Sequence, residues 1–172
     1  MATVAVAAKS LAFAPQNLTS LVHLIAFGTA LGTVNYTTFV AGITLFKNLP
    51  RQTFGKVQSK LFPIYFGIIA ASFILMIGGM VAAGVPVSAK PMTTLTVGLV
   101  CTLANILYLE PATTVNMFKR YDLENAGLDK TDDYQKLRKS FGPLHGLSSL
   151  FNLGSLVCLV AHASFLASKL AF

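Results

Sequence analysis

Hydrophobic positions in this chain fall in long unbroken blocks, not in the alternation of a half-buried strand. Charged side chains are missing from residues 10–46, 61–89, 91–109 and 140–168. Each block supplies about 20 residues, enough for a helix to cross a hydrocarbon core of about 30 Å. The pattern predicts an all-α fold, an integral membrane bundle of four transmembrane helices in one domain, residues 21–168, with spans at about 21–46, 63–84, 92–109 and 144–167. Residues 1–20 are expected to stay out of the membrane, and the charged stretches 47–62 and 110–143 to form loops.

Breakers set these boundaries. Pro63 suits a first helical turn, where its missing N–H has no partner to lose. The stretch GVPVSAKP, residues 84–91, ends the second span, and Glu110-Pro111 marks a boundary or kink at the end of the third. Past Pro111 a helix can continue until Asn125-Ala126-Gly127, where glycine offers an end.

Composition agrees with a lipid solvent. Hydrophobic residues make up 54% of the 172 and charged ones 11%, against about 25% in a typical soluble domain. A net charge of +7 on a soluble fold would suggest nucleic acid. Here the cations lie between apolar blocks, which excludes that partner and leaves membrane lipids. Four Lys and Arg in 47–62 and six in 110–143 stand against Lys9, Lys90 and Lys169. That bias puts both charged loops on the positive, normally cytoplasmic side and both termini opposite, in a membrane that sequence does not name. Cys101 and Cys158 sit inside apolar blocks, without metal-like spacing or a disulfide framework.

The N-terminal MATVAVAAKSLAFA is acid-free and faintly like an organellar targeting segment, and it is expected to be retained. Asn17-Leu-Thr is a glycosylation pattern that matters only in a secretory lumen. The Ser168-Lys-Leu stretch is not a peroxisomal address, since two residues follow it.

Within the blocks, polar side chains carry the candidate chemistry. His145, Ser148, Ser149, Asn152 and Ser155 share one face at 100° per residue. Asn35 and Asn105 are expected to meet them, either as interhelical hydrogen bonds or as a polar path. Lys47, Arg51, Lys56 and Lys60 face lipid headgroups or lock onto Glu110, which lies near His145. Gly28 with Gly32, and Gly67 and Gly78 each with an alanine four residues on, are small-residue faces for packing inside the bundle or between chains. His23 and His162 fall at similar depth, a remote haem or metal pair. No nucleophile elbow, phosphate loop, zincin motif or carboxylate pair is present, so no enzymatic activity is expected. No cofactor is expected beyond lipids, with a pigment or haem left open.

Three segments then resemble a known group. FVAGITLFKNLPRQTFGKVQSKLFPIYF (39–66), YLEPATTVNMF (108–118) and LHGLSSLFNLGS (144–155) are similar to the transmembrane protein 205 family of small four-span eukaryotic membrane proteins. The chain departs from that pattern in having no Trp and in Leu144 before the histidine, where the family carries an aromatic. The resemblance implies a multi-pass, non-catalytic protein. A vertebrate member is associated with platinum-drug resistance, interpreted as export or vesicular trafficking, so the resemblance implies help in transport or trafficking of small solutes. The alternative is an accessory subunit packing with other membrane subunits or further copies of itself through its glycine faces and outer aromatics such as Phe66, Phe73 and Phe165.

Overall fold

The structure, a computed structural model, describes residues 15–170, with side chains from Leu18 onward. Expectations for residues 1–14 and for the Asn17 side chain lie outside the described residues. Helix α1 (Pro15–Asn35) passes through a π-helical turn (Tyr36–Ala41) into α2 (Gly42–Asn48). Then come α3 (Arg51–Ala82), α4 (Lys90–Ala104), a second π turn (Asn105–Leu109), α5 (Glu110–Asn125) and α6 (Asp132–Ala167). The described residues hold four continuous helices long and apolar enough to cross a membrane: Leu18–Asn48, Arg51–Ala82, Lys90–Asn125 and Asp132–Ala167.

These spans are longer than the apolar blocks predicted. The charged stretch 47–62 is not a loop: Leu49 and Pro50 alone separate α2 from α3, and Pro63 lies inside a helix. Likewise 110–143 is helical except for the turn between α5 and α6, and Pro143 is interior. Interior prolines are tolerated here because tertiary contacts hold the flanking turns. A β-carbon on Gly55 would overlap the Tyr121 hydroxyl and the Met117 sulfur, so α3 and α5 touch along the helix that precedes Pro63. At 36 residues the third and fourth spans are about 54 Å long, so the charged ends project well beyond a core of about 30 Å.

Local chemistry sets the ends. Gly127, at φ 71°, follows α5, and Leu128 N–H bonds back to the Leu123 carbonyl, a Schellman stop. Gly84, also at φ 71°, ends α3 in the same way. Thr131 caps α6 through its hydroxyl, with Asp132 and Asp133 in the positive first turn. Glu110-Pro111 does not end the third span; Glu110 N–H reaches the Asn105 carbonyl, and the π turn absorbs the register change before the proline.

The core lies in the half of the bundle away from the α2–α3 turn, around Ile69, Phe73, Met76, Leu95 and Leu159, all fully buried. Phe66 and Phe73 are core residues, contrary to the outward placement expected, while Leu24, Ile25, Leu75, Val100 and Leu150 face outward as lipid contacts. Gly98 lets the third span approach, since a β-carbon there would overlap the Phe73 ring. Gly28, Gly32, Gly67 and Gly78, by contrast, are exposed with open space where a β-carbon would stand. They do not pack the described bundle; Gly55 and Gly98 do. Spacing of small residues locates a possible close approach, but neighbouring side chains decide which face receives a partner.

Candidate functional site: an inner cavity with a charged rim

After Val34 the first span parts from the others. The turn Tyr36–Ala41 and α2 contain no buried residue. The Asn35 side chain donates to the Leu31 carbonyl (2.8 Å), a competing bond inside the helical ladder where the π turn begins. Gly42 completes that turn, its N–H bonded to the Thr37 carbonyl and its missing β-carbon leaving the room. The gap so created is a half-enclosed cavity of about 530 Å³. Thr38, Gly42 and Phe46 line it from the first span, Gln58 and Phe62 from α3, Glu110 and Met117 from α5, and His145, Ser149 and Asn152 from α6. A smaller recess of about 240 Å³ shares Thr38, Gln58, Phe62, Ser149 and Asn152.

The expected polar stripe divides three ways. Asn105, fully buried, accepts from the Ser148 hydroxyl (2.6 Å) and donates to the Ser148 carbonyl (3.2 Å), tying the third span to the fourth. Ser155 and Thr102 extend that seam at 3.0 Å. Asn152 accepts from the Tyr65 hydroxyl (2.7 Å) and donates to Thr38 (3.3 Å), linking three spans at the cavity wall. His145 and Ser149 are exposed at the same wall; the Ser149 hydroxyl donates to the His145 carbonyl, and the His145 ring stacks on Phe141. Asn35 does not join the stripe: it is exposed and bonded within its own helix.

At the rim, the expected Arg51 to Glu110 lock is not formed. Arg51 pairs with Glu124, which also accepts from Gln52 (3.2 Å) and Tyr134 (2.8 Å) and lies 3.8 Å from Arg120. Helical continuation past Pro111 carries Glu124 about 21 Å along the axis from Glu110, to the level of Arg51. Glu124 lies one residue from the end of a 36-residue span that is longer than a core of about 30 Å. Burial pushes the Glu124 carboxyl up, but the hydrogen bonds from Arg51, Tyr134 and Gln52 outweigh it and hold the group below the ordinary carboxylate range. The same bond raises Arg51 above the usual guanidinium value. Both guanidiniums lie over rings, Arg51 over Tyr121 and Arg120 over Phe141, at 5.3 and 4.9 Å. Lys47, Lys56 and Lys60 are exposed and take part in no ion pair among the described residues. Glu124, Tyr121 and Thr38 were not singled out from sequence, whereas Tyr65 and Gln58 fall in the segment 39–66 that resembles the family. The compensating acid for Arg51 was sought in the nearest apolar block, although the same helix continues past it.

His23 and His162 do meet, at the opposite end. Their Nε2 atoms are 2.8 Å apart, His162 is fully buried, and Phe27 and Phe165 flank its ring. Two nitrogens each about 2.0–2.1 Å from one tetrahedral zinc stand about 3.3 Å apart, and haem needs its axial nitrogens further apart still. The pair is therefore hydrogen-bonded, and its geometry does not fit the haem or shared metal considered from sequence. Among the described residues no three His, Cys, Asp or Glu side chains form a metal cluster.

A family profile, "Domain of unknown function (DUF4149)", matches residues 25–122, more than half of the chain. The chain belongs to the DUF4149 family. It is also similar to a curated relative, transmembrane protein 205 of Danio rerio, with 26% identity over 185 residues, 91% of this chain and 95% of that protein. The resemblance to the transmembrane protein 205 family read from the three segments therefore holds, and with it a multi-pass, four-helix membrane protein. DUF4149 is not a known enzyme class. No solved structure matches the chain. The family match covers the splayed first span, α3 and most of the α5 wall of the cavity.

Proposed function

We propose that this DUF4149 protein is non-catalytic and aids transport or trafficking of small solutes by holding them in the inner cavity. The observation that carries this reading is a cavity of about 530 Å³, within the range of about 300–1,000 Å³ typical of small-molecule sites, whose walls come from all four spans. Polar groups converge on it, and polar groups near a bilayer are kept where they meet each other, water or a ligand. Excess Lys and Arg at this end supports a cytoplasmic side for it by the positive-inside rule, with the termini opposite. The cavity is one-sided: beyond it the outer half is filled by Phe73, Met76 and Leu159, so passage across the membrane needs rearrangement or a second copy.

Uptake of a panel of small solutes into proteoliposomes tests this, with Ser149→Trp as the cavity-filling control. Solute movement that depends on the protein and falls in the filled variant supports the reading; protein-independent leakage for every solute ends it.

A second reading, an accessory subunit within a larger assembly, draws on Gly28, Gly32, Gly67 and Gly78, which leave open grooves on lipid-facing surfaces. Native mass measurement after gentle extraction separates the two. Fixed stoichiometric partners favour the subunit; a solitary or self-associated chain favours solute handling.

A further inference from the structure

We propose that the inner cavity takes an organic cation, a protonated or quaternary amine on an apolar body, with the Glu110 carboxylate as its counter-charge. This rests on the cavity being a solute site and names the class of solute. Glu110 lines the cavity and is only 9% exposed. Its Oε1 accepts from the Thr114 hydroxyl (2.7 Å), one turn along the same helix, and it belongs to no ion pair among the described residues. Of the cations that sequence offered it, Arg51 turns to Glu124, as does Arg120, while Lys47, Lys56 and Lys60 are exposed and make no ion pair among the described residues. A carboxylate kept at this depth without a counter-charge is costly, so the site favours a positive guest.

Ring chemistry narrows the guest. Phe46, Phe54, Phe62, Phe66, Tyr121 and Phe141 line the same cavity. Tyr121 and Phe141 already carry Arg51 and Arg120 over their rings, which leaves the phenylalanines on α2 and α3 to attract an ammonium group and to suit an apolar body. A bare calcium ion instead demands about six to eight oxygen ligands. The guanidiniums at the rim do not cancel this preference. Arg51 and Arg120 line the rim of the same cavity, but both pair with Glu124, and Arg120 stands ten residues of helix, about 15 Å, along α5 from Glu110.

The test is calorimetric titration of the purified protein in dodecyl maltoside with three probes sharing one ring: benzyltrimethylammonium, benzyl alcohol and benzenesulfonate. The expected result is saturable binding of the cation, at least tenfold tighter than the other two, with the advantage lost in Glu110→Gln. Cation binding unchanged by Glu110→Gln overturns the proposal. Equal or tighter binding of the neutral or anionic probe also overturns it while leaving the cavity as a solute site; no binding of any probe removes both readings. The ranking on the unmodified protein stands even if Glu110→Gln fails to fold. Displacement of the cation by added phosphatidylethanolamine identifies a lipid amine as the source, and undisturbed binding identifies a soluble one.

Discussion

Replacing His162 with leucine strands a polar group on the first span. In the folded protein the His23 and His162 Nε2 atoms share one hydrogen bond of 2.8 Å, between the half-buried His23 and the fully buried His162. The Nδ1 of His23 lies on the α3 side, beside Gly79. One imidazole donates and the other accepts. His162→Leu removes that partner, and Phe27 and Phe165 offer His23 no substitute. A buried polar atom left without its partner costs about 1–3 kcal/mol, whereas replacing both partners by apolar groups of similar shape is nearly neutral. For a chain of 172 residues each kcal/mol moves the melting temperature by about 2–4 °C. A double-mutant cycle in detergent, scored by thermal unfolding, should show His162→Leu clearly destabilised and His23→Leu/His162→Leu recovering much of the loss, with a coupling of about 1–3 kcal/mol. Strictly additive losses would refute the assignment of a direct bond between the two imidazoles.

The rim network predicts a pH response of definite sign. Because Glu124 titrates below its unfolded value, its contribution is present above the ordinary carboxylate range and is lost as pH falls through the lower folded value. Spin-label distances between the α2–α3 turn and α5 should broaden on acidification below that range, and Glu124→Gln should show the broad distribution at all pH values; a pH-independent distance in the parent protein would contradict this. Gly98→Ala should cost about 1–3 kcal/mol by overpacking, because its β-carbon would meet the Phe73 ring and Cys158. Gly28→Ala, inside a helix and with nothing within 4 Å, should not destabilise the protein and should raise its melting temperature slightly. Equal effects at the two glycines would show that the third span does not approach Phe73 as described.

Fold class was legible because lipid imposes a blunt requirement: every backbone polar group must be satisfied internally, so long apolar blocks become helices. Helix ends were less legible. The stretch 51–62 looks like a loop by charge alone, yet it becomes helix once Gly55, Met117 and Tyr121 pack together, whereas the continuation past Pro111 to Asn125 was legible from the glycine that follows it. Angular spacing placed Ser148, Asn152 and Ser155 on one face, from which Ser148 and Ser155 turn to the third span and Asn152 to the cavity wall. Spacing could not reveal that Asn35 would fold back on Leu31, or that Tyr65 and Thr38 would answer Asn152. For Arg51 the sequence offered lipid headgroups or Glu110, but the helix running unbroken past Pro111 brings Glu124 to it instead. That single register difference leaves Glu110 facing the cavity.

Site-specific labelling of Ser149→Cys tests the cavity most directly. Ser149 lines both recesses, and its hydroxyl bonds only within its own helix, so the substitution is structurally mild. With Cys101 and Cys158 replaced by alanine, a membrane-impermeant maleimide should react rapidly at Cys in position 149 when added to the positively charged side, and not from the other side. Prompt reaction from that side alone establishes a water-reached cavity at the cytoplasmic end; no reaction from either side, or reaction from the opposite side, contradicts the account.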